Sequence, residues 1–258
     1  MRASINKGAL FIQHLKQEAL VIRDVDDRLK HEVSLFVPKP SYGSEIEETV
    51  RLITSATSCV FTAIERAWAS DVLAVAVRNL AILTLAERGR YLFDYDAVIS
   101  VYADINRLGS VERELLSRLR IYKCLYRSGN FDHILPKYDF ENICSILSKS
   151  TDGSHFSDFN MRNPFSYPSD LTPYLSQRLV ERDLITSVPL SSVDQEKYAQ
   201  VSARVRKKLV KPRDYGWEFS SPVSKIWQDV EWLSNNTTPF RWLHPCHKPY
   251  LARNGPWI

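Results

Sequence analysis

The chain has 258 residues, 44% hydrophobic and 25% charged, which suits one large domain or two small ones and argues against disorder throughout. Its net charge of +4 is uneven: residues 201–258 hold ten Lys/Arg against four Asp/Glu, while residues 1–200 hold 24 against 26. The widely spaced Cys59, Cys124, Cys144 and Cys246, and an N-terminus (Met1-Arg2-Ala3-Ser4) without an apolar secretory run, predict reduced thiols and a cytoplasmic location. The most apolar stretch, Val72 to Leu85, is short for a bilayer and carries Arg78 and Asn79, so no membrane contact is expected.

Ile12, Leu15, Ala19, Ile22 and Leu29 recur at helical spacing and predict one amphipathic helix over residues 5–31, followed by a short strand from Val33 to Val37. Pro38, Pro40 and Gly43 break the chain. Ser44 with Glu47 then predicts a capping box, opening a helix whose apolar face is Ile46, Val50, Ile53, Thr57, Val60 and Ile64. A third helix, Asp71 to Arg88, is expected to be capped by Ser70 and ended by Gly89. Its nearly all-round apolarity predicts a central place in a bundle. A fourth, Asp94 to Leu108, ends at Gly109, and a fifth, Val111 to Arg127, runs from Ser110 to Gly129; the short loops predict antiparallel neighbours.

The pattern then loosens into a short helix (Phe140 to Leu147), a polar loop (Ser148 to Ser169), a helix (Pro173 to Glu181) and a strand (Leu184 to Val188). Ser192 and Gln195 predict a second capping box. The helix it opens carries Tyr198, Val201, Val205 and Leu209 on one face and Arg204, Arg206, Lys207, Lys208 and Lys211 in its final turns before Pro212. Residues 213–258 hold five of the six tryptophans, Trp217, Trp227, Trp232, Trp242 and Trp257, among recurring prolines, and predict an irregular arm with one helix from Pro222 to Leu233. The expected fold is mostly α: a helical bundle over 1–110, a second helical subdomain over 111–212 and a basic, Trp/Pro-rich C-terminal arm over 213–258.

Arg113, Arg120, Lys123 and Arg127 share about a third of the fifth helix's circumference, a stripe suited either to phosphate binding or to an ordinary solvated face. The spacing of Arg127 and His133 resembles the Arg-x4-6-His element of HEPN-family ribonucleases. That resemblance implies an all-helical fold, a dimeric site and metal-independent RNA cleavage, with His133 moving the 2′-hydroxyl proton and Arg127 stabilising charge at the phosphate. The stretch Gln177-Arg178-Leu179-Val180-Glu181-Arg182-Asp183-Leu184-Ile185 resembles the last helix and wing entry of winged-helix domains. There the resemblance implies a wing near residues 184–192 and binding of DNA or protein. His244, Cys246 and His247 cluster without the second ligand pair that a structural zinc site draws on, so no metal is expected.

Phosphate-loop, dinucleotide, nucleophile-elbow and His-Glu-x-x-His motifs are absent, as are Asp-x-Lys and Glu-x-Lys, and no cofactor is expected. The preferred expectation is a non-enzymatic accessory or scaffold subunit. It would bind a protein partner, nucleic acid or both through the basic C-terminal region, with Trp217, Trp227, Trp232 and Trp242 as aromatic contacts. The runner-up is the ribonuclease, and a winged-helix DNA binder is the third reading.

Overall fold

The structure is a computed structural model that describes residues 10–19, 22, 24–57, 62–130, 132–150, 178, 181–182, 188–209, 228–229, 231–233 and 235–238. Those residues are mostly α-helical. They fall into two compact units that interleave along the chain. Unit 1 takes the described residues within Met1–Thr57, Ser70–Lys123 and Pro136–Phe159, and unit 2 those within Ser58–Ala69, Cys124–Leu135 and Asn160–Ile258.

In unit 1, α1 (Leu10–Glu18) and α2 (Arg28–Ser34) replace the single helix expected over 5–31. A 3-10 turn, Val25–Asp27, separates them, with Asp26 and Asp27 in the left-handed region at φ 59° and 53°. Asp24 anchors the restart: its carboxylate accepts from the Leu29 and Lys30 amides at 3.0 and 2.9 Å, and these bonds hold its pKa below the usual value. The strand expected at Val33 to Val37 is absent because α2 runs through Ser34 and Phe36 closes a turn onto Val33.

The helix α3 (Gly43–Thr57) starts just ahead of the Ser44–Glu47 box, which does not form. Ser44 instead donates to Glu45 (2.9 Å), and the Tyr42 amide donates to the Glu87 carboxylate, which also accepts from Ser41 (2.9 Å). A tertiary carboxylate does the work of the predicted cap. The helix α4 (Ala63–Ala86) begins well before Ser70, on a capping box formed by Thr62 and Glu65. The Thr62 amide donates to Glu65 Oε2 at 2.8 Å and the Glu65 amide to Thr62 Oγ1 at 3.2 Å. Ser70 is therefore a buried mid-helix residue, and Ile64 belongs to α4 rather than to the preceding helix. By length and composition α4 can cross a membrane, yet 72% of its apolar window is buried in protein. Gly89, at φ 68°, closes it: the Gly89 amide bonds Ala86 O and the Arg90 amide bonds Leu85 O, the paired bonds of a Schellman end.

Asp94 caps α5 (Tyr95–Ile105) by accepting from the Ala97 amide at 2.9 Å. Arg107, at φ 54°, takes the left-handed end position expected of a glycine, with Leu108 N bonded to Ala103 O. Gly109 does not end α5. It opens α6 (Ser110–Arg127), where its amide donates to Glu112 at 2.7 Å, so Gly109 rather than Ser110 is the cap. Gly129 (φ 74°) ends α6 as predicted. The helix α7 (Lys137–Ser150) is longer than the expected Phe140 to Leu147.

The core of unit 1 follows from these faces: Val50 and Ile53 of α3, Val72, Leu73, Val77 and Leu80 of α4, Val98, Ile99 and Tyr102 of α5, Leu116 and Leu119 of α6, and Ile143 and Leu147 of α7 are all buried. The central place expected for α4 agrees with burial at successive positions around it. Burial also pushes the Cys144 thiol up to about 12, which makes it inert.

In unit 2, residues 178, 181 and 182 are helical, and β1 (Val188–Pro189) pairs antiparallel with β2 (Thr237–Thr238), Val188 opposite Thr238. Between them in sequence lies α8 (Gln195–Leu209), capped by Asp194, which accepts from the Glu196 and Lys197 amides at 2.8 and 3.2 Å. Asp194 thus displaces Ser192 as the cap. Helical residues 228–229 and 231–233 precede β2. Most of Ser148 to Ser169, of Pro173 to Glu181 and of 213–258 lies outside the described residues, as do Cys59 and Cys246.

Candidate functional site

Two constellations in unit 2 and one in unit 1 hold the residues that carry charge. In unit 1, α5 and α6 are cross-linked by ion pairs. Arg113 donates to Ser100 Oγ (3.1 Å) and pairs with Asp104, and Arg120 pairs with Asp96 (3.0 Å) while lying over the Tyr95 ring at 5.7 Å. Tyr95 itself is pushed up by burial, and its hydroxyl donates to Leu116 O. Two members of the basic stripe are thereby partly neutralised by acids of the neighbouring helix. Lys123 and Arg127, its other members, are half-buried and also have partners. Asp94 caps α5 and Asp96 pairs with Arg120, so both carboxylates have partners within the protein.

The end of α6 belongs to unit 2. Arg127 lies in its last turn, Gly129 turns the chain, and His133 is exposed on the following bend. The two residues of the Arg-x5-His element are thus on either side of a left-handed helix end.

Near them lies a buried ionic cluster. Arg178 Nη1 is 2.6 Å from Glu181 Oε2, with both side chains 0% exposed. Tyr126 donates to Glu181 Oε1 at 2.5 Å, and its ring sits 6.0 Å from the Arg178 guanidinium. Trp68, also fully buried, donates its indole N–H to Arg178 O at 3.0 Å, and the Arg182 guanidinium lies 5.9 Å from its ring. Fixing two arginines and a glutamate away from water demands this density of hydrogen bonds and aromatic faces. Every group of the cluster is buried.

The second constellation is on the surface. Lys197 and Arg204 are seven residues apart and share one stripe of α8, alongside the buried Val201 and Val205. Lys197 Nζ lies 4.9 Å from the centre of the Trp232 ring. Arg204 grips Asp229 with two bonds, Nε to Oδ2 at 3.0 Å and Nη2 to Oδ1 at 2.7 Å, and that partner raises the Arg204 pKa. The earlier residue of α8 meets the later residue of the C-terminal segment, and the later meets the earlier, so the two helical stretches run antiparallel. Leu233 and Thr237 are buried behind them. The part of the expected arm at 228–238 is therefore folded against α8 and β1, with Leu190 N also bonded to Asn236 O (3.0 Å).

Of the other residues expected to bind a partner, Arg206, Lys207 and Lys208 continue α8, while Lys211, Trp217, Trp227 and Trp242, like His244, Cys246 and His247, lie outside the described residues. Among the described residues no group of three His, Cys, Asp or Glu could hold a metal ion. Trp68, Arg178, Glu181, Arg182 and Asp229 escape sequence reasoning. The Arg178, Glu181, Arg182 spacing is that of an ordinary charged helix face, and burial carries no local signal. Comparison with known proteins finds no matching family model, no matching curated protein and no matching solved structure.

Proposed function

We propose that the chain is a non-enzymatic helical accessory or scaffold subunit that works by contact, binding a partner protein or nucleic acid through its basic, aromatic C-terminal region. The observation that carries this reading is the exposed Lys197–Arg204 stripe of α8, backed by Trp232 and running into Arg206, Lys207, Lys208 and Lys211 in the sequence. A helix that presents cations two turns apart on one face beside an aromatic side chain supplies both salt-dependent attraction and contact area.

Replacing Lys207 and Lys208 together with glutamate is expected to weaken retention of the chain on its partner at low salt by an order of magnitude or so. Unchanged retention sinks the reading. The same preparation tests the ribonuclease alternative, which rests on the exposure of His133 beside the last turn of α6: metal-free cleavage of RNA by the wild type, lost on His133→Ala, would replace the contact reading with that enzyme.

A further inference from the structure

The pairs that fasten residues 228–233 to α8 have the chemistry of a ligand. A planar carboxylate gripped by both edges of a guanidinium reproduces the way arginine holds a phosphate, and an ammonium over an indole occupies a face on which a nucleobase stacks. Asp229 is one of only four acidic residues among the last 58, and its partner Arg204 opens a stretch of sequence, Arg204 to Lys211, with five cations and no acid. The Arg204 side chain remains 56% exposed although paired, whereas Asp229 is 21% exposed, so the guanidinium is open to solvent while its internal partner sits inside.

We infer that the Lys197–Arg204 face of α8 is a single-stranded nucleic-acid surface held in check by the chain's own Asp229, whose carboxylate fills the Arg204 fork that a backbone phosphate takes on binding. This rests on the contact reading above and deepens it. Phosphate is favoured over an acidic protein because the dense, acid-free run of cations matches a repeating anion, and because Trp232 supplies the stacking platform beside it. When a strand binds, Arg204 passes from carboxylate to phosphate and Lys197 moves off the indole. No covalent step is involved, and binding competes with the antiparallel packing of 228–233 on α8.

The test is binding of a fluorescent thymidine oligonucleotide to the full chain across a salt series. Asp229→Asn, which keeps the shape and removes the charge, is expected to tighten binding about fivefold at about 0.1 M salt and to steepen the slope of log K against log salt by about 0.7, because no carboxylate is uncovered to take up a cation when Arg204 reaches phosphate. Arg204→Gln should abolish the gain when added to Asp229→Asn, and should weaken that variant more than it weakens the wild type. Asp229→Glu, which keeps the charge, should bind like the wild type; should Asp229→Asn perturb folding, a tightening on Asp229→Glu as large as that on Asp229→Asn would still overturn the assignment. So would an unchanged salt slope in Asp229→Asn, or equal weakening by Arg204→Gln in both backgrounds. A wild type that ignores the oligonucleotide but binds poly-glutamate overturns the nucleic-acid surface and leaves the contact reading standing. If Lys207→Glu with Lys208→Glu also leaves retention on the native partner unchanged, the contact reading falls with it.

Discussion

Along α6 the chain passes from one kind of interior to another. In unit 1 the helix buries Leu115, Leu116 and Leu119 and keeps Arg113 and Arg120 at the surface against Asp104 and Asp96. In unit 2 its final turn buries Tyr126 against Glu181 and Arg178. A fully buried leucine stabilises by roughly 2 kcal/mol through apolar surface removed from water. A buried Arg–Glu pair gains little net energy, since desolvation offsets attraction, but it penalises any arrangement in which one partner is missing. The leucines of α6 thus contribute by packing, and its last turn by a demand for specific partners.

Glu181→Ala is the sharpest way to break that contrast. It leaves Arg178 buried beside Trp68 without its carboxylate, and a loss of about 3–5 kcal/mol is expected in urea unfolding followed by tryptophan fluorescence. Arg178→Met combined with Glu181→Leu should cost markedly less than Glu181→Ala alone; a double variant that is worse than the single would mean the pair contributes net stability. Leu116→Ala, the matching change in unit 1, is expected to cost about 2–4 kcal/mol by leaving a cavity, with no rescue by a second substitution. Arg120→Ala should cost less than about 1 kcal/mol, because the Asp96 pair is exposed to solvent. Arg107→Gly should stabilise by about 0.5–1 kcal/mol, by relieving a side chain held at φ 54°, and a thermal melt measures it.

The smallest effect concerns pH. Asp24 is ionised more readily in the folded chain than in the unfolded one, where its value is 3.8, so its contribution is complete above that value and lost as pH falls through the lower folded value. The protection of the Leu29 and Lys30 amides, measured against their intrinsic exchange rates, is expected to fall as Asp24 is protonated, and Asp24→Asn should remove that pH dependence.

Much of unit 1 is legible in the sequence because its apolar residues recur at helical spacing and its interior is built from them: α4, α5 and α6 are each anticipated within a few residues at their C-terminal ends. Starts are read less well. The caps at Tyr42 and Thr62 depend on Glu87 and on where α3 stops, and Ser44, Ser70 and Ser110 are equally good local signals that the tertiary structure passes over. Asp26 and Asp27 break the N-terminal helix with no glycine or proline to announce it. In unit 2 the basic final turns of α8 are readable, but Lys197 is not singled out, and the partner that holds Arg204, Asp229, lies 25 residues on and is visible only once the chain has folded.

The central claim, that this chain works by contact through α8 and the segment packed on it, is most directly tested by affinity purification of the full chain from its native host. Nuclease-treated and untreated halves would be compared, beside the Lys207→Glu, Lys208→Glu variant. A partner lost in the variant is expected, and one lost from the wild type on nuclease treatment if Asp229 guards a nucleic-acid surface. The same partners recovered in equal amount with the variant would contradict it.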